Sequence, residues 1–371
     1  MGSLKLVIPQ SGTPSGKVSR PGRSNGHRSH RSNLPFSILD LVQHIVMILA
    51  VNQIPAGTAP EPANGPAMTA EEFAVLFDRL RRWPSGGVAP DERGAAAATG
   101  PDAVLAAAAS VRTGERVSLA LPINRSAGPD NPRPALHHMV DLGDVEAPEP
   151  SAHKDFIGVD YHGKAITHLD AICHIGYRGQ LFGGVDSRGA FTALGSSWAA
   201  VTMFTDGIIA RGVLLDMPRL AGAAWLEPGT AVRASDIESA EASLGVRIGP
   251  GDAVLLRTGV GARRSAVGAW DSSDFSAGLS VDAMELLAHR DIALLGADGD
   301  SDVRPSQVAG VHSPIHALAL TALGIPLLDN LDLERLSGAC AEASGYTFML
   351  VVAPLVVPGG TGSPVNPIAV L

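Results

Sequence analysis

The sequence predicts a mixed α/β domain built on a curled, barrel-like sheet. Short runs rich in Val, Ile and Leu outnumber the segments with helical periodicity, and no regular strand–helix alternation links them. Turn signals drawn from 42 Gly and 27 Pro punctuate these runs. With 371 residues, 45% hydrophobic and 18% charged, the chain is globular in composition and long enough to bury a substantial core. Aromatic residues are scarce at 4%, so that core must be built from Ala, Val, Leu and Ile.

Residues 1–67 differ from the rest. Positions 1–39 hold no acidic residue, whereas Lys5, Lys17, Arg20, Arg23, Arg28 and Arg31 are basic, and Ser, Gly and Pro are abundant. That composition favours disorder. The apolar run 34–51 is interrupted by Asp40, Gln43 and His44, which makes it too polar and too short for a transmembrane helix and a poor signal peptide. A Pro/Ala/Gly linker follows at 53–67. The expectation is a disordered or misassigned extension over 1–67, with a targeting segment as the alternative, and a folded domain over 68–371.

Within that domain, residues 68–83 carry a helical pattern with Thr69 as cap and Pro84 as stop. The Ala-rich stretch 94–109 reads as partly helical. Strands are expected at 117–123, 135–142, 207–216, 253–257, 292–296, 325–328 and 346–355. The stretch at 253–257 follows Gly249-Pro250-Gly251-Asp252, a turn signal before a buried strand. Helices are expected at 235–244, opened by Ser235 or Asp236, at 281–289, and at 313–323, where Gly324 is the stop. Residues 358–367 read as a rigid terminal loop. The acidic trio Asp298, Asp300 and Asp302 lacks the closing Glu of a calcium loop and is read as solvated strand-end carboxylates.

Composition also excludes function classes. A formal net charge of -9 argues against a nucleic-acid surface. Two cysteines, Cys173 and Cys340, give no disulfide framework and fit a reducing, cytoplasmic compartment. Cys173 is read as a small buried filler rather than a nucleophile. No Gly-x-Gly-x-x-Gly follows a strand and opens a helix, so a dinucleotide site is not supported. The expected partner is a small-molecule substrate, with no nucleic acid and no stable membrane insertion.

One segment concentrates chemistry. Residues 161–174 place His162, His168, Asp170 and His174 at even positions, so an extended backbone aims all four to one side. If the chain turns helical after Leu169, Asp170 and His174 still share a face. Nitrogen and oxygen donors converging in this way are what a divalent cation needs. The bland alternative is a set of loop residues hydrogen-bonded to backbone.

These residues resemble a known family. Thr167-His168-Leu169-Asp170-Ala171-Ile172-Cys173-His174 is similar to the Thr-His-x-Asp-Ala-x-x-His of the cyclase family of metal-dependent hydrolases, which includes kynurenine formamidases and isatin hydrolases. His316 with the segment 324–333, the stretch 251–259 and the ending 353–367 extend the resemblance over about residues 155–371. It implies a β-rich fold of the swivelling β/β/α type, found as homodimers or larger homo-oligomers. It implies His168 and Asp170 as metal ligands, His316 and Asp329 approaching the same centre from the other side, and His174 as general base. Two positions depart from the family pattern. Lys164 stands where the family has its first metal histidine, with His162 two residues earlier as the substitute. Asp329 stands where Glu is usual.

Such a centre holding zinc or manganese lowers the pKa of a bound water from 15.7 to roughly 7, and so suits hydrolysis of an amide, formamide or cyclic ester. His174, with an unperturbed pKa of about 6.5, is suited to accept the proton and pass it to the leaving group. His162 is either a ligand or a second base. Lys164 either replaces a second metal's charge, binds a substrate carboxylate, or is a snorkelling surface residue. Thr167 either orients a ligand or simply favours the strand. A proton-abstracting cyclase or dehydratase and a non-catalytic binding protein of the same fold are the competing readings. His137, His138 and His312 are read as capping or surface residues, and Trp198, Trp225 and Trp270 as pocket wall or core.

Overall fold

The computed structural model describes residues 67–84, 90–143 and 150–371, all within one compact unit, Gln53–Leu371. Apart from Ala67, the N-terminal extension and its apolar run lie outside the described residues. Helix α1 (Ala70–Leu80) starts at a capping box: the Thr69 hydroxyl accepts from the Glu72 amide while the Glu72 carboxylate accepts from the Thr69 amide. Phe73, Leu76 and Phe77, three and four residues apart, form its buried stripe. Helix α2 (Pro101–Ala109) follows a 3-10 turn at Gly94–Ala98, as the Ala-rich pattern predicts.

Nine strands form the main sheet: β1 (Arg116–Ser118), β2 (His168–Asp170), β3 (Ile208–Asp216), β4 (Ala253–Arg257), β5 (Leu294–Ala297), β6 (Leu327–Asp329), β7 (Thr347–Val352), β8 (Gly362–Pro364) and β9 (Ile368–Val370). Their spatial order is β1-β9-β7-β3-β4-β5-β6-β2-β8. The central four, β3 to β6, are parallel, and the flanking pairings are antiparallel. That division follows the residues. Strands β4 and β5 are buried at every position, as continuous apolar runs in a parallel sheet covered on both faces should be. Strand β7 instead alternates buried and half-buried residues, the pattern of a sheet with one wetter face. The sheet curls into a half-barrel, so the mixed α/β class expected from the sequence is the one adopted.

Helices α3 (Ala234–Leu244), α4 (Val260–Val267), α5 (Val281–His289) and α7 (Glu334–Glu342) lie in the connections between strands β3 to β7. Between α5 and α7, α6 (Pro314–His316) continues as a π-helical stretch, Ala317–Leu323, buried at every residue. It ends at Gly324 in the left-handed conformation, where a Cβ would lie 2.7 Å from the Phe182 ring. Among the described residues no helix is long and apolar enough to cross a membrane.

Several expectations need correction. The strand expected at 117–123 stops at Ser118; beyond it Leu119 and Ala120 keep backbone contacts to Pro367 and around Leu331, as an isolated bridge and not a ladder. Helix α3 begins one residue early and is capped at Arg233, whose amide donates to Asp236; neither Ser235 nor Asp236 is the cap. The terminal 358–367 segment is not simply a loop, because 362–364 forms strand β8 against β2. Finally, the acidic trio after β5 is buried rather than solvated.

Candidate metal centre

The centre is assembled by strand register. Strand β2 lies between β6 and β8, both antiparallel to it, which sets His168 opposite Asp329 and Asp170 opposite Leu327 and Gly362. Two segments about 160 residues apart in sequence are therefore cross-strand neighbours. His168 and Asp170, two apart on the strand, share a face. The parity argument goes no further, because His162 lies in a bend and His174 on the 3-10 turn Ile172–His174. Their convergence comes from loop geometry, not from an extended backbone.

Around the fully buried Asp170 carboxylate the other side chains gather on two sides. His162 Nδ1 lies 2.9 Å and His168 Nε2 3.4 Å from Oδ1. His316 Nε2 lies 3.7 Å and His174 Nε2 3.9 Å from Oδ2. His316 Nε2 is also 3.5 Å from Asp329 Oδ2. His162, His168 and Asp170 form one group with cation-holding geometry, and Asp170, His316 and Asp329 a second that shares Asp170. The structure thus brings together all six residues singled out from the sequence.

Local anchors orient the imidazoles. His168 Nδ1 lies 2.8 Å from the Ile166 carbonyl, which can only accept, so a neutral His168 carries its proton on Nδ1 and presents a bare Nε2 inward. His316 Nδ1 lies 2.6 Å from Asp302, the carboxylate–histidine arrangement that accompanies metal-binding histidines. Burial opposes charging of His316, but its bonds to Asp302 and Asp329 prevail and raise its pKa well above the ordinary value. Burial likewise works against ionisation of Asp170, and the surrounding His168 and His162 outweigh it, so the carboxylate stays charged. His174 is stacked face to face on His162, with centroids 3.8 Å apart. Burial takes its pKa down to about 4, so it is a neutral proton acceptor at pH 7.

The donor set fits a divalent cation on an observation independent of any motif. His162 Nδ1, both oxygens of Asp170 and Asp329 Oδ1 are buried without a hydrogen-bond partner. Unpaired buried carboxylate oxygens are costly, and a cation held between them and the imidazole nitrogens would satisfy them.

Two of the acidic trio, Asp300 and Asp302, adjoin this centre beside His316. Asp298 accepts from the amides of Thr258, Gly259 and Val260 and from the Thr258 hydroxyl, tying the end of β5 to the start of α4. Asp300 pairs with Lys164 at 2.5 Å and with Arg304 at 2.8 Å. Lys164 is therefore not a snorkelling surface lysine. Thr167 neither faces the centre nor merely suits a strand: it donates to the Asn330 carbonyl and accepts from the Leu121 amide. Asn330, left-handed at φ 56, donates to the Gly163 and Ile166 carbonyls and holds the 163–166 bend. Cys173 is buried and its thiol pushed up to about 11, as the filler reading expects. Trp198 packs against the core, with its indole N–H on the Phe182 carbonyl. His312 lies against Arg304 and the Ser313 hydroxyl.

Sequence reasoning missed Asp302, Asn330, Tyr161 and Thr361 as supports. All four lie in stretches the sequence singles out, Asp302 in the acidic trio and the others in the segments 161–174, 324–333 and 353–367, but nothing in the sequence gave them these partners.

The family described as "Putative cyclase" matches residues 117–301. Among solved structures, one described as a novel cyclase is 29% identical with a TM-score of 0.69, covering 80% of this chain and 99% of its own. An isatin hydrolase bound to the product analogue thioisatinate is 22% identical, covering 71% of this chain and 94% of its own, with a TM-score of 0.47. Isatin hydrolase A from Labrenzia aggregata, bound to benzyl benzoate, is 21% identical over the same shares, with a TM-score of 0.49. No curated protein matches. The family match, the shared fold of the 29% identical cyclase and the sequence around His168 and Asp170 agree: this chain belongs to the cyclase family.

Proposed function

We propose that this protein is a metal-dependent hydrolase acting on an amide, a formamide or a cyclic ester or amide. The observation that carries the reading is the convergence of orphaned buried donors from Asp170, Asp329 and His162 beside the inward-facing nitrogens of His168 and His316. These five residues would hold the cation, zinc or manganese, which activates water and polarises a carbonyl. The protein's own part is proton handling and positioning. His174, with its Nε2 toward Asp170 and its side chain about a quarter exposed, is the group that can meet substrate. Neutral at pH 7, it accepts a proton from the attacking water and returns it to the leaving nitrogen or oxygen. Asp170, held ionised, steadies the imidazolium that forms. The anchors on His168 and His316 keep the ring orientations fixed through the cycle.

The 29% identical structure is described as a cyclase, which favours a second reading: the same centre with His174 abstracting a proton next to a carbonyl. Metal analysis of the purified protein, before and after chelation, combined with assays of formamide, isatin-like cyclic amide and lactone probes, tests both. Acid release from one of them that stops on chelation supports the hydrolase. Metal-dependent turnover without hydrolysis supports the second reading, and absence of stoichiometric metal overturns both. The homo-oligomer implied by the family resemblance belongs to the same proposal. It is supported by the exposed Met139, Leu142 and Ile157 of the separate hairpin formed by Leu136–Leu142 and His153–Gly158.

A further inference from the structure

Asn330 directly follows Asp329, and its side chain crosses to the segment that precedes His168. The β6–β2 pairing ends at Asp329 opposite His168. At Asn330 the backbone turns left-handed, so the ladder stops there and the side chain takes over the contact. Its amide nitrogen lies 2.8 Å from the Gly163 carbonyl and 3.0 Å from the Ile166 carbonyl. Carbonyl oxygens only accept, so the NH2 group faces both and each of its two protons is used. In return, the Thr167 hydroxyl donates to the Asn330 carbonyl at 2.6 Å, and the Asn330 backbone amide donates to the Gly299 carbonyl at 3.0 Å. One buried residue therefore ties the 163–167 segment and the loop after β5 to the end of β6.

The Ile166 carbonyl is the link to the centre. It accepts from His168 Nδ1 at 2.8 Å, so its two lone pairs are shared between the ring and Asn330. Neutral or charged, the ring keeps Nδ1 protonated against this acceptor, and the direction of the carbonyl decides where Nε2 points. Ile166 lies in the bend before β2, outside the strand ladder, and Asn330 restrains its peptide plane. The same bend carries Lys164 to Asp300. The other rings are supported elsewhere. Asp302 holds His316, and the Thr361 hydroxyl lies 2.9 Å from His162 Nε2, beside a Tyr161 phenol that donates to the Gly362 carbonyl at 2.9 Å.

We propose that the Asn330 side chain is a positioning residue for the metal centre: by fixing the Ile166 carbonyl it sets the direction of His168 Nε2 relative to Asp329. The proposal rests on the metal-dependent reading above and gives that centre a brace from the residue after one of its ligands.

The test separates the side chain from the backbone. Glycine adopts the left-handed conformation freely, so Asn330→Gly keeps the turn and deletes the amide. The full-length variant should stay folded by circular dichroism and bind cobalt(II) about 10-fold or more weakly, in competition with a chromophoric chelator. Its cobalt d–d spectrum, which reports ligand geometry, should change as well. Wild-type affinity overturns the proposal, and weaker binding with an unchanged spectrum makes Asn330 a support of the fold alone. Should the glycine variant not fold, Asn330→Asp decides: it keeps the shape, sets an acceptor against two carbonyls and should show the same weakening, whereas wild-type binding overturns the proposal. The unsubstituted protein supplies a further reading. In 15N-asparagine-labelled wild type, the Asn330 side-chain amide protons should exchange slowly with solvent, with or without cobalt. Exchange as fast as that of an exposed asparagine overturns the brace. Wild-type protein with a protected Asn330 amide that takes up no cobalt overturns the metal-dependent reading instead, which keeps the two failures apart.

Discussion

Asp302 holds His316 from behind: the carboxylate lies 2.6 Å from Nδ1 and also accepts from the Ile315 amide at 2.7 Å. One side chain thus fixes both the ring and the first turn of the helix that carries it. Asp302→Asn keeps the shape but removes the charge that raises ring basicity. It should weaken metal affinity about 10- to 100-fold while the fold, read by circular dichroism, is retained. Unchanged affinity would show that Asp302 serves only the helix start.

Among the described residues the His174 ring makes no hydrogen bond; its Nε2 stands 3.9 Å from Asp170 Oδ2, and His162, on which it stacks, is held separately by Thr361, so its removal should leave the ligand atoms in place. His174→Ala is expected to lower turnover about 10²- to 10⁴-fold with metal stoichiometry intact. Metal content and kcat measured on the same preparation decide this. Loss of both together would make His174 a structural support instead of the base.

Gly362 is a site where only glycine fits. A Cβ there would meet the Leu169 carbonyl at 2.4 Å, backbone against backbone within the β2–β8 pairing. Gly362→Ala should cost about 1–3 kcal/mol in urea unfolding and also weaken metal binding, because the displaced strand carries Thr361 away from His162. A variant of wild-type stability would mean that the pairing relaxes freely.

Acid sensitivity should arise partly away from the centre. Asp216, fully buried at the end of β3, meets Arg257 at 2.7 Å and Ser337 at 2.5 Å. Burial pushes its pKa up, but the Ser337 hydroxyl and the Arg257 charge outweigh burial and hold it below the ordinary value. A carboxylate depressed in the folded state stabilises fully above its unfolded pKa of about 3.9, and that contribution is lost as pH falls through the folded value. Wild-type stability should therefore decline below about pH 4. Asp216→Asn should cost about 3–5 kcal/mol near neutrality, since it strips a partner from buried Arg257, and should show a shallower decline in acid. Urea titrations between pH 3 and 7 check both the offset and the slope.

The parts of the fold that the sequence revealed are those governed by local rules. Thr69 and Glu72 announced the start of α1, Gly324 the end of the buried helix, and the unbroken Val254-Leu255-Leu256 a strand covered on both faces. Strand β8 escaped because Gly362-Ser363-Pro364 has no strand propensity of its own; pairing with β2 makes it a strand. The burial of the acidic trio is not legible in the sequence for a related reason. Carboxylates after a strand are usually solvated; here the start of α4 covers Asp298, while Lys164, Arg304 and His316 return over Asp300 and Asp302.

At the centre, residue types and spacing alone marked His162, His168, Asp170 and His174 as a donor cluster. The family pattern added His316 and Asp329. What the chain's linear order could not decide was which atom each residue offers, because that depends on partners remote in sequence. Ile166 and Asp302 turn two rings one way, and Thr361 turns His162 the other. Propensity and periodicity act over a few residues, whereas a hydrogen bond that selects a tautomer is made only when the strands are in register, and that was left to the tertiary structure.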